Sequence, residues 1–578
     1  MKLSRHLGIV LSASPCLDAA SASPRVVDGC RGVTYHGLER NGIEVFLGIR
    51  YAEDTSGANR FKPPKRHVPA TGSSINATSY GPSCPQQLGA WPEILPLATT
   101  TEISEDCLLL NVARPRGTKG RDKLPVMVFI HGGDFWAGSN HEPTTLPDGL
   151  ILESERNGLP VVHVAMNYRL GFFGFAQSDA LESEGSENAG LRDQRLALEW
   201  VRDHIEHFGG DRDKITIFGQ SSGGLSVGMQ IMAYGASKPV PFQQGICESQ
   251  ALETGITANY SLDAMQAVVD YVGCNATGLD SAETVACLRK LDMQTLLNAS
   301  LSTYRSDLNG GDIWLPVVDN DFIPAAPSTL IREGRFSNVT TMMGWCENDL
   351  TIFTDPSIKT AADTRAFISA SVPDVTSTNL DTLLALYPVS DFISEATATL
   401  SAEFFRAARV IRDILMTCQP VWYGQHLARA GNAVYLYEWN QTIAEPILEK
   451  ATNASGWGPV HTSELPYVFG NLSHWNITGY TFEPTAADYA LVSRGSRSWS
   501  TFAAMGRPSL EGHDTFRGYE QAFQVAHPNE TYIFVAGGPS EGLSAIDGTQ
   551  STEAVRAQRL RERCAFINSP EMIEQLKF

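Results

Sequence analysis

Short apolar runs recur along the chain, each ending in a glycine-rich or polar loop and followed by a helical pattern. Residues 126–130 read as a strand running into His131-Gly132-Gly133, and 160–166 as another ending at Asn167-Tyr168-Arg169. Residues 191–208 carry Leu191, Leu196, Leu198, Trp200, Val201 and Ile205 at helical spacing. Residues 215–218 form the next predicted strand and 225–233 the next helix; 340–345 and 433–439 are later strands. Continuously apolar strands alternating with helices predict an α/β fold with a mostly parallel sheet covered on both faces. In such sheets the chemistry gathers at the carboxyl ends of the strands. The candidate motifs below all sit at such ends.

No apolar run reaches about 18 residues, so no helix is expected to cross a bilayer. The first residues have another pattern: Lys2, Arg5 and His6, an apolar stretch over 7–11, then Ala20-Ser21-Ala22. That order predicts a secretory signal peptide over 1–22, leaving 23–578 as one catalytic domain. Secretion also fits the Asn-x-Ser/Thr sequons at Asn76, Asn259, Asn275, Asn298, Asn338, Asn440, Asn453, Asn471, Asn476 and Asn529.

Across 578 residues, 43% hydrophobic and 19% charged is an ordinary globular balance. The formal charge of −20 argues against nucleic acid or an anionic membrane as partner. Ten cysteines are present, none in a Cys-x-x-Cys pair or beside histidines at zinc-finger spacing. They predict disulfides in an oxidising compartment, with no metal and no cofactor. Oligomeric state is not readable from the chain.

Gly219-Gln220-Ser221-Ser222-Gly223-Gly224 lies between a predicted strand and a predicted helix. That is the context of a nucleophile elbow, where a serine at a sharp turn needs glycines on either side for close packing. His131-Gly132-Gly133-Asp134-Phe135 closes an earlier strand, and backbone N–H groups of such a loop can form an oxyanion hole. Fixed donors of this kind each lower an acyl-transfer barrier by roughly 3–4 kcal/mol.

With these motifs the chain resembles the type-B carboxylesterase/lipase family, which includes the cholinesterases. Phe46-Leu47-Gly48-Ile49-Arg50-Tyr51-Ala52, Arg60-Phe61-Lys62-Pro63-Pro64 and Glu105-Asp106-Cys107-Leu108-Leu109-Leu110-Asn111-Val112 look like its signatures. So do Asn167-Tyr168-Arg169-Leu170-Gly171 and the segment NAGLRDQRLALEWVRDHIEHFGGD over 188–211. The resemblance implies an α/β-hydrolase fold and a Ser–acid–His triad acting on a small-molecule ester. It places the acid at Asp349, in Gly344-Trp345-Cys346-Glu347-Asn348-Asp349, where most members carry Glu; Glu347 is the competitor in a different register. It places the base at His461, in His461-Thr462-Ser463-Glu464, and the oxyanion donors at Gly133, Asp134 and Ser222. The order Ser221, Asp349, His461 is that of α/β-hydrolases.

The resemblance also implies disulfides Cys84–Cys107, Cys274–Cys287 and Cys418–Cys564. Cys30, Cys247 and Cys346 are left over; the last two, on strands expected to be neighbours, either pair or stay buried as thiols. Gln220 stands where most members have Glu, and no tryptophan lies ten residues before Cys107. Both differences argue against choline esters, whose quaternary ammonium needs an aromatic face and nearby negative charge. Trp136, Trp314, Phe353 and Trp457 are candidates to line the acyl pocket or to pack in the core. Besides ester hydrolysis, two other activities suit the same residues or their loss: a biosynthetic transesterase or cyclising enzyme, and a non-enzymatic adhesion protein.

Overall fold

A computed structural model describes residues 23–29, 31–91, 98–305, 313–473 and 483–578. The predicted leader, Cys30 and Asn476 lie outside the described residues. Eleven strands form the main sheet: β1 (Leu38–Arg40), β2 (Ile43–Arg50), β3 (Leu109–Pro115), β4 (Leu124–Ile130), β5 (Val162–Met166), β6 (Gly210–Gln220), β7 (Gln244–Glu248), β8 (Thr340–Cys346), β9 (Val434–Trp439), β10 (Tyr532–Ala536) and β11 (Gly542–Ala545). Their order across the sheet is β11-β10-β9-β8-β7-β6-β4-β5-β3-β2-β1. Pairing is parallel from β5 through β10 and antiparallel at both margins.

The central strands are buried at nearly every position, which is why they read as apolar runs rather than alternating ones. Strand β9 shows both faces covered. Val434 and Leu436 point to Gly424 of the helix Cys418–Arg429, while Tyr435 and Tyr437 meet Phe502 and Trp499 of the helix Ala486–Met505. Side chains of opposite parity leave opposite faces, so the two helices sandwich the sheet.

The family-like motifs outside the candidate site hold the sheet margin together. The amide of Gly48 donates to Asn111 Oδ1 at 2.8 Å, joining the signature over 46–52 to that over 105–112. Arg60 grips Glu105 with two bonds of 2.6 Å, and Arg169 grips Asp193 at 2.7 and 2.6 Å, all four residues buried. Such buried pairs are costly to break singly, because one charge is then left without its partner.

All three expected disulfides are present. Cys247 and Cys346 are buried free thiols. Their strands are neighbours, but Cys247 is in register with Met343, three residues short of Cys346. An offset of three residues puts the two thiols on opposite faces, which rules out pairing. Asn471 is buried, and its side-chain amide donates to the Leu146 carbonyl.

Candidate active site

Strand order reverses between β4 and β6. The chain leaves β4 for β5 on one side and leaves β6 for β7 on the other, so a crevice opens between the two carboxyl ends. Ser221 sits in it, directly after β6, with φ 61° and ψ −132°. A side chain at that backbone conformation is strained and must be held by its surroundings. Its N–H donates to the Glu248 carbonyl at 2.9 Å and its carbonyl accepts from Leu225 N–H at 2.9 Å. The helix Ser222–Met232 starts immediately afterwards, three residues earlier than the apolar spacing predicts.

Both flanking glycines are required sterically. A Cβ on Gly219 would stand 2.5 Å from the Ile130 carbonyl oxygen, and one on Gly223 only 2.1 Å from the same atom. Strand β4 therefore touches the turn on both sides of Ser221. The loop after β4 runs through positive φ at Gly133 (103°), Asp134 (55°) and Phe135 (54°). Phe135 N–H donates to Ser222 Oγ at 3.2 Å, and Phe135 packs against Phe175 and Tyr168. These contacts fix the loop beside Ser221. Tyr168 also stacks on His131 and donates to its carbonyl at 2.8 Å. Burial lowers the His131 pKa to about 4, so that ring brings no positive charge to the loop near neutral pH. Asp134 is exposed.

His461 comes from a loop far along the chain. Its Nδ1 lies 2.5 Å from Asp349 Oδ1, and its backbone N–H donates to the Asp349 carbonyl at 3.0 Å. Asp349 is 0% exposed and accepts from Cys346 N–H through Oδ2 at 2.8 Å; His461 is 3% exposed. His461 Nε2 lies 3.2 Å from Nε2 of Gln220, the residue immediately before Ser221. With the Nδ1 proton given to Asp349, Nε2 carries a lone pair and the Gln220 amide is the donor. Glu347 is turned elsewhere: its carbonyl accepts from Arg412, and burial beside Glu438 raises its carboxyl to about 7. Asp349, not Glu347, contacts His461.

Of the four aromatic candidates, Trp314 and Trp457 are core residues. Trp136 is nearly buried, edge-on to Tyr304. Phe353 stands out at 48% exposed, with its ring edge-on to His461 at 5.4 Å.

Sequence reasoning did not single out two acids packed behind this line. Glu248 and Glu464 are both fully buried. Trp499 Nε1 donates to Glu248 Oε1 at 2.5 Å, and the Cys346 thiol donates to Glu464 Oε2 at 3.0 Å. Burial, with the charge of Glu464, holds the Glu248 carboxyl far above the usual carboxylate range. Burial and the charge of Asp349 raise Glu464 to about 7. Buried carboxyls near one another cannot all ionise cheaply, so Glu248 and Glu464 hold their protons more tightly than exposed acids do. The one available signal was position: Glu248 ends an apolar strand, and Glu464 stands three residues after His461.

A strained serine, an imidazole on a buried carboxylate and a loop of positive φ converge at one strand-order reversal. The sequence profile of the carboxylesterase family matches residues 29–535. A secreted lipase of Arthroderma benhamiae is 54% identical over 561 residues, covering 97% of each chain. An inactive carboxylesterase-like protein of Byssochlamys spectabilis is 36% identical over 95% of each chain. The crystal structure of Aspergillus niger EstA superposes with a TM-score of 0.77 at 26% identity, covering 96% of this chain and 99% of that one. By fold, by family profile and by these relatives, the chain belongs to the carboxylesterase family and is a carboxylic ester hydrolase.

Proposed function

We propose that the protein is a secreted esterase working through an acyl-enzyme on Ser221, with residues 1–22 as a removable leader and 23–578 as one catalytic domain. The contact that carries this reading is the line from Asp349 through His461 to the residue adjoining Ser221. His461 Nε2 exchanges the Gln220 amide for the Ser221 hydroxyl and takes its proton as Oγ attacks the ester carbonyl. Asp349 holds the ring and stabilises its cation. The developing oxyanion lies against the N–H groups of Gly133, Asp134 and Ser222. His461 then protonates the departing alcohol, and water attacks the acyl-enzyme by the same sequence in reverse. The exposure of Asp134 supports its part here, since only its backbone donor is needed and its carboxylate can face solvent.

The secreted-lipase relative supports lipid esters as the substrate class and export as the destination. The three disulfides also support export. The relative described as inactive raises a second reading, a non-catalytic protein on the same scaffold. One set of measurements separates them: p-nitrophenyl esters from acetate to palmitate, with fluorophosphonate labelling and peptide mapping. The expected outcome is turnover, a label on Ser221, and a loss of about 10⁴-fold or more in Ser221→Ala with an unchanged melting temperature. Absent turnover, a label elsewhere, or an active Ser221→Ala would overturn the proposal.

A further inference from the structure

We propose that Asp28, His204 and His207 form a binding site for a transition-metal dication of the zinc class, at the end of the sheet opposite Ser221. His204 is the last residue of the helix Ala189–His204, and His207 lies in the 3₁₀ turn Ile205–Phe208 that continues it. A spacing of three residues brings both rings to one side of the helix end. Asp28 follows the strand Arg25–Val27 and reaches across to them; its Oδ1 lies 3.1 Å from His207 Nε2. Taking one donor atom from each residue, all three lie within 4.8 Å of one another.

A zinc ion takes nitrogen and carboxylate donors at about 2.0–2.2 Å, which sets neighbouring donors roughly 3.3 Å apart. The Asp28–His207 pair already has that separation. The two histidines are half-buried, and side-chain rotation has to bring the remaining donors in from separations of up to 4.8 Å, while Asp28 is buried. Two imidazoles and one carboxylate suit zinc or cobalt and are too nitrogen-rich for calcium or magnesium. His204 is backed by Trp200, at 4.9 Å between ring centroids, which restricts its orientation.

Three protein ligands leave a position for an exogenous one. His207 borders an open cleft of 610 Å³, giving a route from solvent. Arg25, Lys119, Lys123 and Glu206 also line that cleft, with Arg114 paired to Glu44, and the net positive rim favours an anion such as chloride or hydroxide as the fourth ligand. Cysteine spacing carries no sign of this site, which joins a His-x-x-His pair to an aspartate distant in sequence.

Strand β6 separates the site from Ser221. Gly210, three residues after His207, opens it, and Gln220 closes it next to the serine. Eleven extended residues span about 35 Å, so the ion would stand remote from the ester chemistry. Its effect is to clip the N-terminal strand onto the end of the catalytic sheet.

The test uses the full-length protein without a histidine tag, stripped by a chelator and titrated with Zn²⁺ by calorimetry and with Co²⁺ by visible absorption. One ion per chain is expected, with affinity weakened about tenfold or more in each of His204→Ala, His207→Ala and Asp28→Asn. His204→Ala keeps the Asp28–His207 contact, so its fold should survive if Asp28→Asn is unstable. Zn²⁺ should raise the melting temperature of the unaltered chain and not that of His204→Ala. Removing the ion should leave ester hydrolysis unchanged. Failure to bind one ion, or His204→Ala binding as tightly as the unaltered chain, would overturn the proposal.

Discussion

The amide of Gln220 meets the ring of His461 at 3.2 Å, so this residue sets the charge beside the proposed base. A neutral amide neither stabilises nor opposes the imidazolium by charge. Gln220→Glu would place a carboxylate there and favour the protonated ring. The acid limb of the kcat/KM profile should then move to higher pH by about one unit, measured with a short-chain p-nitrophenyl ester. An unmoved limb would separate Gln220 from the base. Glu464 gives a second prediction, for stability. Its folded-state value of about 7 lies above the ordinary 4.5, so the folded chain holds this proton more tightly than the unfolded chain. That contribution is complete below about pH 4.5 and is lost as pH rises through 7. Glu464→Gln keeps a neutral side chain at every pH. Melting curves from pH 4.5 to 8 should therefore show the unaltered chain losing ground to the variant; parallel curves would refute the assignment.

At the scale of elements, the turn between β6 and the helix Ser222–Met232 works because β4 lies against it. The Ile130 carbonyl oxygen is the obstacle for a Cβ at either Gly219 or Gly223. Gly223→Ala, at 2.1 Å, has only backbone to push against. It should cost about 3 kcal/mol in denaturant unfolding, because strand and helix must part. Activity should fall further than stability, since the same movement separates the β4 loop from Ser221. A fully active, fully stable Gly223→Ala would show that the contact is loose.

For the whole molecule, Cys418–Cys564 closes a span of 146 residues, far longer than the 23 and 13 of the other two bridges. Loop-closure entropy makes it the strongest constraint on the unfolded chain, worth about 5 kcal/mol against roughly 3 for each of the others. Replacing both cysteines by alanine should lower unfolding stability by about that amount. Opening the Cys274–Cys287 bridge in the same way should cost less. The reverse ranking, in the same denaturation experiment, would count against the entropic account. The long bridge ties the helix Cys418–Arg429, which covers β9, to the helix Leu560–Ile567 near the end of the chain.

The sequence alone determined the α/β class, the strand ends where chemistry gathers, and Ser221 at a glycine-flanked turn between a strand and a helix. These follow from local patterns: apolar runs fit buried parallel strands, and glycines stand where a turn has no room for a Cβ. The three disulfide pairings were also legible, through resemblance rather than through geometry. Tertiary structure decided what depends on register and packing between distant segments. It turned Asp349 and not Glu347 toward His461, and it set Cys247 opposite Met343 so that two neighbouring thiols stay apart. It placed Asn471 against the Leu146 carbonyl, and it buried Glu248 against Trp499 and Glu464 against Cys346. None of these can be read along the chain, because each is a distance between residues that only the folded sheet brings together.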